Sequence, residues 1–169
     1  NKREIMSKEI DIEYYHQLAL QKQKEHRKVL ANLKKKPPKN LDKIAQQIHK
    51  EVFEEIDCTA CANCCKTLGP DFKEADITRI AKYFKMKLPA FEAEFLQVDE
   101  DGDKVFKSMP CPFLGGDNLC SIYDVRPKAC REFPHTDRKK IHQINHLTIK
   151  NTLTCPAAYL FVEKLKDKL

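Results

Sequence analysis

Eight cysteines hold the reactive atoms of this sequence, and half of them fall in one stretch, Cys58-Thr-Ala-Cys61-Ala-Asn-Cys64-Cys65. The thiolate is the form of cysteine that ligates metal, and two residues between sulfurs let one turn of backbone aim both at a single ion. Cys64 and Cys65 are neighbours, and neighbouring side chains diverge on a helix or a strand. The pair therefore suits two metal centres, or two corners of one cluster, better than one tetrahedral ion. Cys111, Cys120, Cys130 and Cys155 follow singly, enough sulfur in all for two four-sulfur sites. The expected cofactor is Zn2+ at two sites, with an iron–sulfur cluster or iron as the alternative. Cys58, Cys61 and Cys64 match the opening of a bacterial ferredoxin run, but the fourth cysteine three residues on, followed by proline, is missing. Zinc accepts ligands from distant segments and asks only for a tetrahedron of sulfurs, which suits Cys111, Cys120, Cys130 and Cys155.

Disulfides are the competing use of eight cysteines. Crowding four of them into residues 58–65 argues against it, because a bridge between adjacent Cys64 and Cys65 would be strained. No apolar run approaches the roughly 20 residues that span a bilayer, and no signal peptide opens the chain. A cytoplasmic, reducing setting is the expectation. With 41% hydrophobic residues, no Trp and a mean hydropathy of −0.60, the apolar core is thin for 169 residues, so metal crosslinks would offset a shortfall in burial. Eight thiolates with two divalent ions would bring the formal charge of +6 close to neutral. Basicity then belongs to the segment between Lys22 and Lys43, where nine Lys and Arg face only Glu25 and Asp42.

The elements that must position the cysteines follow from periodicity. Residues 7–36 read as a long polar helix with a sparse stripe of Tyr14, Leu18, Val29, Leu30 and Leu33, stopped by Pro37 and Pro38. A second helix runs from Asn40, as its cap, to about Ile56; its apolar face should cover the metal core, with His49 on the exposed side. Lys73 to Phe84 and a segment opened by Pro89 read as helices. Val98 and Val105-Phe106 flank an acidic hairpin turn. That turn fails as a calcium loop: position 6 is Lys104 in place of Gly, and position 12 is Pro110 in place of Glu. Cys111 and Cys120 sit on the two arms of a short hairpin, Arg126-Pro127 opens a short helix carrying Cys130, and Cys155-Pro156 opens the last helix. A thiol at a helix N-terminus has its anion stabilised, which makes Cys155 a favourable ligand. The fold class is α+β, mostly helical with short β-hairpins around a cysteine-ligated core. Residues 1–39 form a basic helical arm and linker, and 40–169 the cysteine-cluster domain.

Other residues weigh less. His142 and His146, four apart, and His135 beyond Cys130 read as surface groups in polar surroundings. Arg126 and Arg131 flank Cys130, where positive charge would stabilise thiolates, or they form plain surface pairs with Asp124 or Glu132.

The order Cys58-x2-Cys61-x2-Cys64-Cys65, Cys111-Pro-Phe-Leu, Cys120-Ser-Ile-Tyr123 and Arg126-Pro127-x2-Cys130-Arg131-x-Phe-Pro134 resembles the YkgJ-type cysteine-cluster family, labelled zinc- or iron-chelating. The resemblance covers about residues 55–160. It implies a bacterial metal-chelating domain, and a related cluster accompanies flagellin lysine methylases, so an enzymatic relative exists. Two classes stay open. One is a structural or interaction module whose basic arm meets a macromolecular partner, protein or RNA; the other is an iron–sulfur or metal-dependent enzyme of redox or methyl-transfer type. Whether the chain is an enzyme is left undecided, although no Gly-rich nucleotide loop, nucleophile elbow or paired-carboxylate motif is present, so no nucleotide cofactor is expected.

Overall fold

The structure, a computed structural model, describes residues 10–169. In chain order its elements are α1 (Ile12–Lys35), α2 (Leu41–Glu55), α3 (Cys58–Cys61), α4 (Asn63–Thr67), α5 (Glu74–Tyr83), α6 (Leu88–Phe95), β1 (Leu96–Val98), β2 (Lys104–Phe106), α7 (Lys128–Glu132), α8 (Asn145–Thr152) and α9 (Pro156–Asp167). The described residues are thus mostly helical with one antiparallel hairpin, in line with the α+β reading.

Contacts divide the chain into two compact units: the first takes the residues up to Cys61 together with Pro134–Leu169, and the second is the contiguous stretch Ala62–Phe133. The boundary expected near residue 39 is not where contacts part.

In the first unit α1 packs against α8 and α9, and α2 packs against α9. Pro37 and Pro38 cannot continue a helix, and α1 stops just before them. Its N-cap is Asp11, whose carboxylate accepts the Tyr14 N–H at 2.9 Å. The start expected at Ser7 lies outside the described residues. The sparse stripe suffices because Ala19, His26, Leu30 and Leu33 share one helix face, and all four are buried. The helix read as an arm is therefore built into this unit. On α2, Leu41, Ala45, Ile48 and Val52 are buried as a single stripe. That stripe packs in the first unit against α9, whose Ala157, Ala158, Phe161, Val162 and Leu165 are buried in turn.

Two local expectations on α2 change. Asn40 occupies the N-cap position without a side-chain cap bond, because its backbone (φ −100°, ψ 16°) is not the extended conformation that lets a cap reach back. His49 is not on an exposed face: its Nδ1 meets Thr136 Oγ1 at 2.8 Å, and its ring lies 4.6 Å from that of Phe53.

The second unit closes on a cluster rich in phenylalanine, with Phe72, Ile77, Ile80, Phe91, Leu96, Phe106, Phe113 and Ile122 buried together. The hairpin pairs Leu96 with Phe106 and Val98 with Lys104. Asp99 shapes its turn by accepting the N–H groups of Asp101 at 3.0 Å and Asp103 at 2.9 Å, so its carboxylate is spent on the backbone.

Buried Asp76 on α5 organises the far side of this unit. It accepts Arg79 Nη2 at 2.6 Å and the Lys128 N–H at 3.1 Å, while Arg79 donates to the carbonyls of Val125 at 3.1 Å and Arg126 at 2.9 Å. Burial alone would push the Asp76 carboxyl up, but Arg79 and the Lys128 and Lys73 N–H groups outweigh it and hold the carboxyl below its usual value. A depressed folded value means stability present above the ordinary carboxyl range near pH 3.9 and lost as pH falls through the folded value. Asp76→Asn should therefore cost about 2 kcal/mol at pH 7. The gap between variant and parent in denaturant melts should shrink below about pH 4; a gap that stays constant to pH 2 would contradict this role.

Candidate metal centre

The cysteine stretch folds as two short helical turns. Cys58 and Cys61 bound α3, three apart and so on one side of the turn. Ala62 then enters the left-handed region with φ 48°, and α4 carries Cys64 and Cys65. A left-handed alanine costs roughly 1–2 kcal/mol, and it interrupts what would otherwise be one helix. No disulfide links any of the eight cysteines among the described residues.

Each unit holds its own set of thiols. In the first, Cys155 stands at the N-cap position of α9, and the charges of Cys58 and Cys61 reach it. Burial pushes the Cys155 thiol up to about 12, more than the Ala158 and Ala157 N–H groups draw it down. At Cys155 burial therefore works against the pull of the helix start, and a cation beside the sulfur would favour its thiolate.

In the second unit, Cys65, Cys111, Cys120 and Cys130 lie in electrostatic reach of one another, and Cys64 hydrogen-bonds Cys65. The Cys111 N–H donates to the Cys65 carbonyl at 2.8 Å, tying α4 to the loop that follows the hairpin. Cys111 and Cys120 pack at the edge of the phenylalanine cluster. The hairpin expected to hold them reduces to a single bridge between Leu114 and Cys120, tightened by Gly115 N–H to Leu119 O at 2.8 Å. A side chain at Gly115 would meet Asp117 Oδ1 at 2.5 Å, so the tight turn favours glycine there. Cys130 lies on α7, downstream of the turn held by Asp76 and Arg79.

Electrostatics differ sharply among these five. The Cys65 thiol is drawn down to about 7, chiefly by the hydrogen bond with Cys64; burial opposes this, and the positive charges of Arg126 and Lys66 assist it. The Cys64 and Cys65 thiols thus approach each other, contrary to the divergence expected of neighbours. Burial, then the charges of Cys65 and Cys120, pushes Cys111 up to about 11, and burial raises Cys120 as well. Cys130 is pushed up to about 12 by crowding around its sulfur and then by Cys65, Cys111 and Cys120. The residue is exposed by area, which moderates the size of that push but not its sign. Arg126 is the nearby cation: its guanidinium lies 3.7 Å over the Tyr123 ring and donates to the Tyr123 carbonyl at 2.6 Å. Arg131 donates to the Arg126 carbonyl at 3.2 Å, and Glu132 faces Lys128 at 3.6 Å, so the surface pairs expected of these arginines do not form.

Among the described residues, no three His, Cys, Asp or Glu side chains converge closely enough to grip an ion as they stand. The donors nevertheless fit a soft, thiophilic metal: each set is thiol only, and raised thiols need a cation to ionise. His146 is exposed, His142 is half-buried on a 3-10 turn, and His135 sits at φ 65°. Asp76 and Arg79, which position the turn beside Cys130, escaped the sequence reading, and Tyr123 entered it only as part of a motif. Their only signal is spacing of three, Asp76 to Arg79 and Tyr123 to Arg126, and such pairs are common on any helical turn.

The CxxCxxCC family model, whose description reads "Putative zinc- or iron-chelating domain", matches residues 57–156. Comparisons with curated proteins and with solved structures return no match. Among the described residues no helix is long and apolar enough to cross a membrane.

Proposed function

Because the chain belongs to the CxxCxxCC family, a metal-chelating domain by description, we propose that it is a zinc-binding module with two centres, one per unit. Cys64, Cys65, Cys111, Cys120 and Cys130 supply the second unit's ligands, and Cys58, Cys61 and Cys155 those of the first. The observation that supports this reading is the contact boundary at Cys61, which leaves Cys58, Cys61 and Cys155 in one unit and the other five cysteines in the other. Zinc would supply crosslinks between segments that a thin apolar core leaves weakly joined. Arg126 offsets thiolate charge from the side, and Asp76 with Arg79 fixes the turn that leads to Cys130. The module meets a macromolecular partner, protein or RNA, through the basic α1.

A second reading rests on one observation. The first unit offers three thiols, one short of a closed sulfur tetrahedron, and a site with an open position is what metal-dependent catalysis requires. In that case the protein is an enzyme of redox or methyl-transfer type, with iron or an iron–sulfur cluster as its cofactor.

Anaerobic purification with elemental analysis and an absorption spectrum tests both readings. We expect colourless protein with two zinc per chain; Cys155→Ser and Cys111→Ser should each remove one equivalent, and the double variant both. Brown protein with iron and labile sulfide would overturn zinc, and loss of both equivalents in either single variant would overturn the two-set assignment.

A further inference from the structure

The outward face of α1 carries a row of unneutralised positive charge in the described first unit. Lys24, Arg27, Lys28, Lys34 and Lys35 are all exposed. At 100° per residue they fall within an arc of about 120°, centred about 130° from the buried side defined by Ala19, His26, Leu30 and Leu33. None of the five pairs with a carboxylate among the described residues, whereas their neighbours do. Lys22 meets Glu25 at 3.2 Å, Lys164 meets Glu55 at 2.6 Å, Lys166 meets Glu25 at 3.0 Å and Glu163 at 3.1 Å, and Lys168 meets Glu51 at 2.9 Å. The pairs made by lysines at the α9 end take up Glu25, Glu51, Glu55 and Glu163, and α1 presents a cationic face about 16 Å long.

From this row we propose that α1 binds duplex RNA through its phosphate backbone, an inference that rests on reading α1 as the partner-facing surface. Three features select this occupant. An anionic lipid surface attracts basic residues one by one but holds a helix firmly only where an apolar face inserts, and that of α1 is already packed against α8 and α9, leaving Tyr14 and Leu20 as its exposed large hydrophobic side chains. A protein interface needs a desolvated aromatic or arginine-centred core, whereas this row is mostly lysine, the residue such cores exclude. Single strands bind by stacking on aromatic rings, and between Lys22 and Lys43 there is no Phe, Tyr or Trp. What is left is a regular array of phosphates. Because one side of α1 is held in the unit, it offers only its outer surface. The wide, shallow minor groove of A-form RNA, flanked by phosphates, accepts such a surface, while the floor of a DNA major groove lies about 8.5 Å down.

The test is fluorescence anisotropy of the full chain with a labelled 20-base-pair RNA duplex at 50 and 200 mM KCl. Parallel arms use the same sequence as DNA, polyglutamate-free vesicles of anionic lipid, and a polyglutamate peptide. Five neutralised phosphates give a salt slope of about −4, so affinity should fall roughly 250-fold between the two salt levels. Changing all five residues to glutamine should abolish binding; changing the four lysines to arginine should preserve it, and circular dichroism should show both variants folded. Arg27→Gln alone should reduce the slope by about 1. Binding that survives the fivefold glutamine variant, or DNA bound more tightly than RNA, overturns the proposal. Preference for vesicles or polyglutamate overturns RNA but leaves α1 as a partner surface, and binding to none of the four overturns both.

Discussion

Treating the protein with a strong chelator at neutral pH is expected to lower the thermal midpoint of the second unit by about 20 °C or more, read by circular dichroism. The reason lies in how its pieces are joined. One phenylalanine-rich cluster serves as the core, and the segments that carry Cys65, Cys111, Cys120 and Cys130 meet mainly through single backbone bonds such as Cys111 N–H to Cys65 O at 2.8 Å. A structural zinc contributes roughly 10–16 kcal/mol of apparent folding energy in peptides that lack any other core. Here the aromatic cluster carries part of that role, so about 5 kcal/mol is the expected loss, which at this size corresponds to the stated shift. Readdition of zinc should restore the midpoint. A melting curve unmoved by chelation, with metal loss verified by elemental analysis, would remove the structural role.

Phe113→Ala should be the most damaging single change to the apolar core. Its ring lies 5.2 Å from Phe84, 6.4 Å from Phe91, 5.0 Å from Phe95 and 5.6 Å from Phe106, so one side chain joins α5, α6, β2 and the loop between Cys111 and Cys120. Truncation to alanine removes those contacts and leaves a cavity, a cost of about 3–5 kcal/mol. The Phe113 backbone carbonyl accepts the Ser121 N–H at 2.9 Å, a bond that alanine can keep, so the loss measured is that of the ring. Urea denaturation checks the magnitude, and Phe113→Leu should retain more than half of the lost stability. An alanine variant within 1 kcal/mol of the parent would mean that this ring does not centre the core.

Much of this architecture was legible because it is written in periodicity and punctuation. The α2 stripe, the stop at Pro37-Pro38, the helix over Glu74–Tyr83, the acidic turn between β1 and β2, and Pro156 at the start of α9 each follow from local rules. What local rules missed depends on partners distant in sequence. α1 looked like an arm because its stripe is sparse, but α8 and α9, more than 100 residues away, are what bury Ala19 and Leu30. His49 is half-buried because Thr136 comes to it. For the site, the number and order of cysteines were visible, whereas the contact boundary at Cys61, which leaves Cys155 in the unit of Cys58 and Cys61, was not. Spacing says nothing about the break at Ala62, or about burial that raises Cys155 against the pull of its helix.

The split of the first unit across the chain sets a timetable for synthesis. Residues up to Cys61 leave the ribosome well before Pro134–Leu169, and the contiguous Ala62–Phe133 emerges between them. At typical elongation rates the stripes of α1 and α2 wait roughly 5–20 s for α8 and α9. During that interval Leu30, Ile48 and Val52 lack the cover that α8 and α9 supply in the finished unit, while the intervening segment already has its whole sequence in hand.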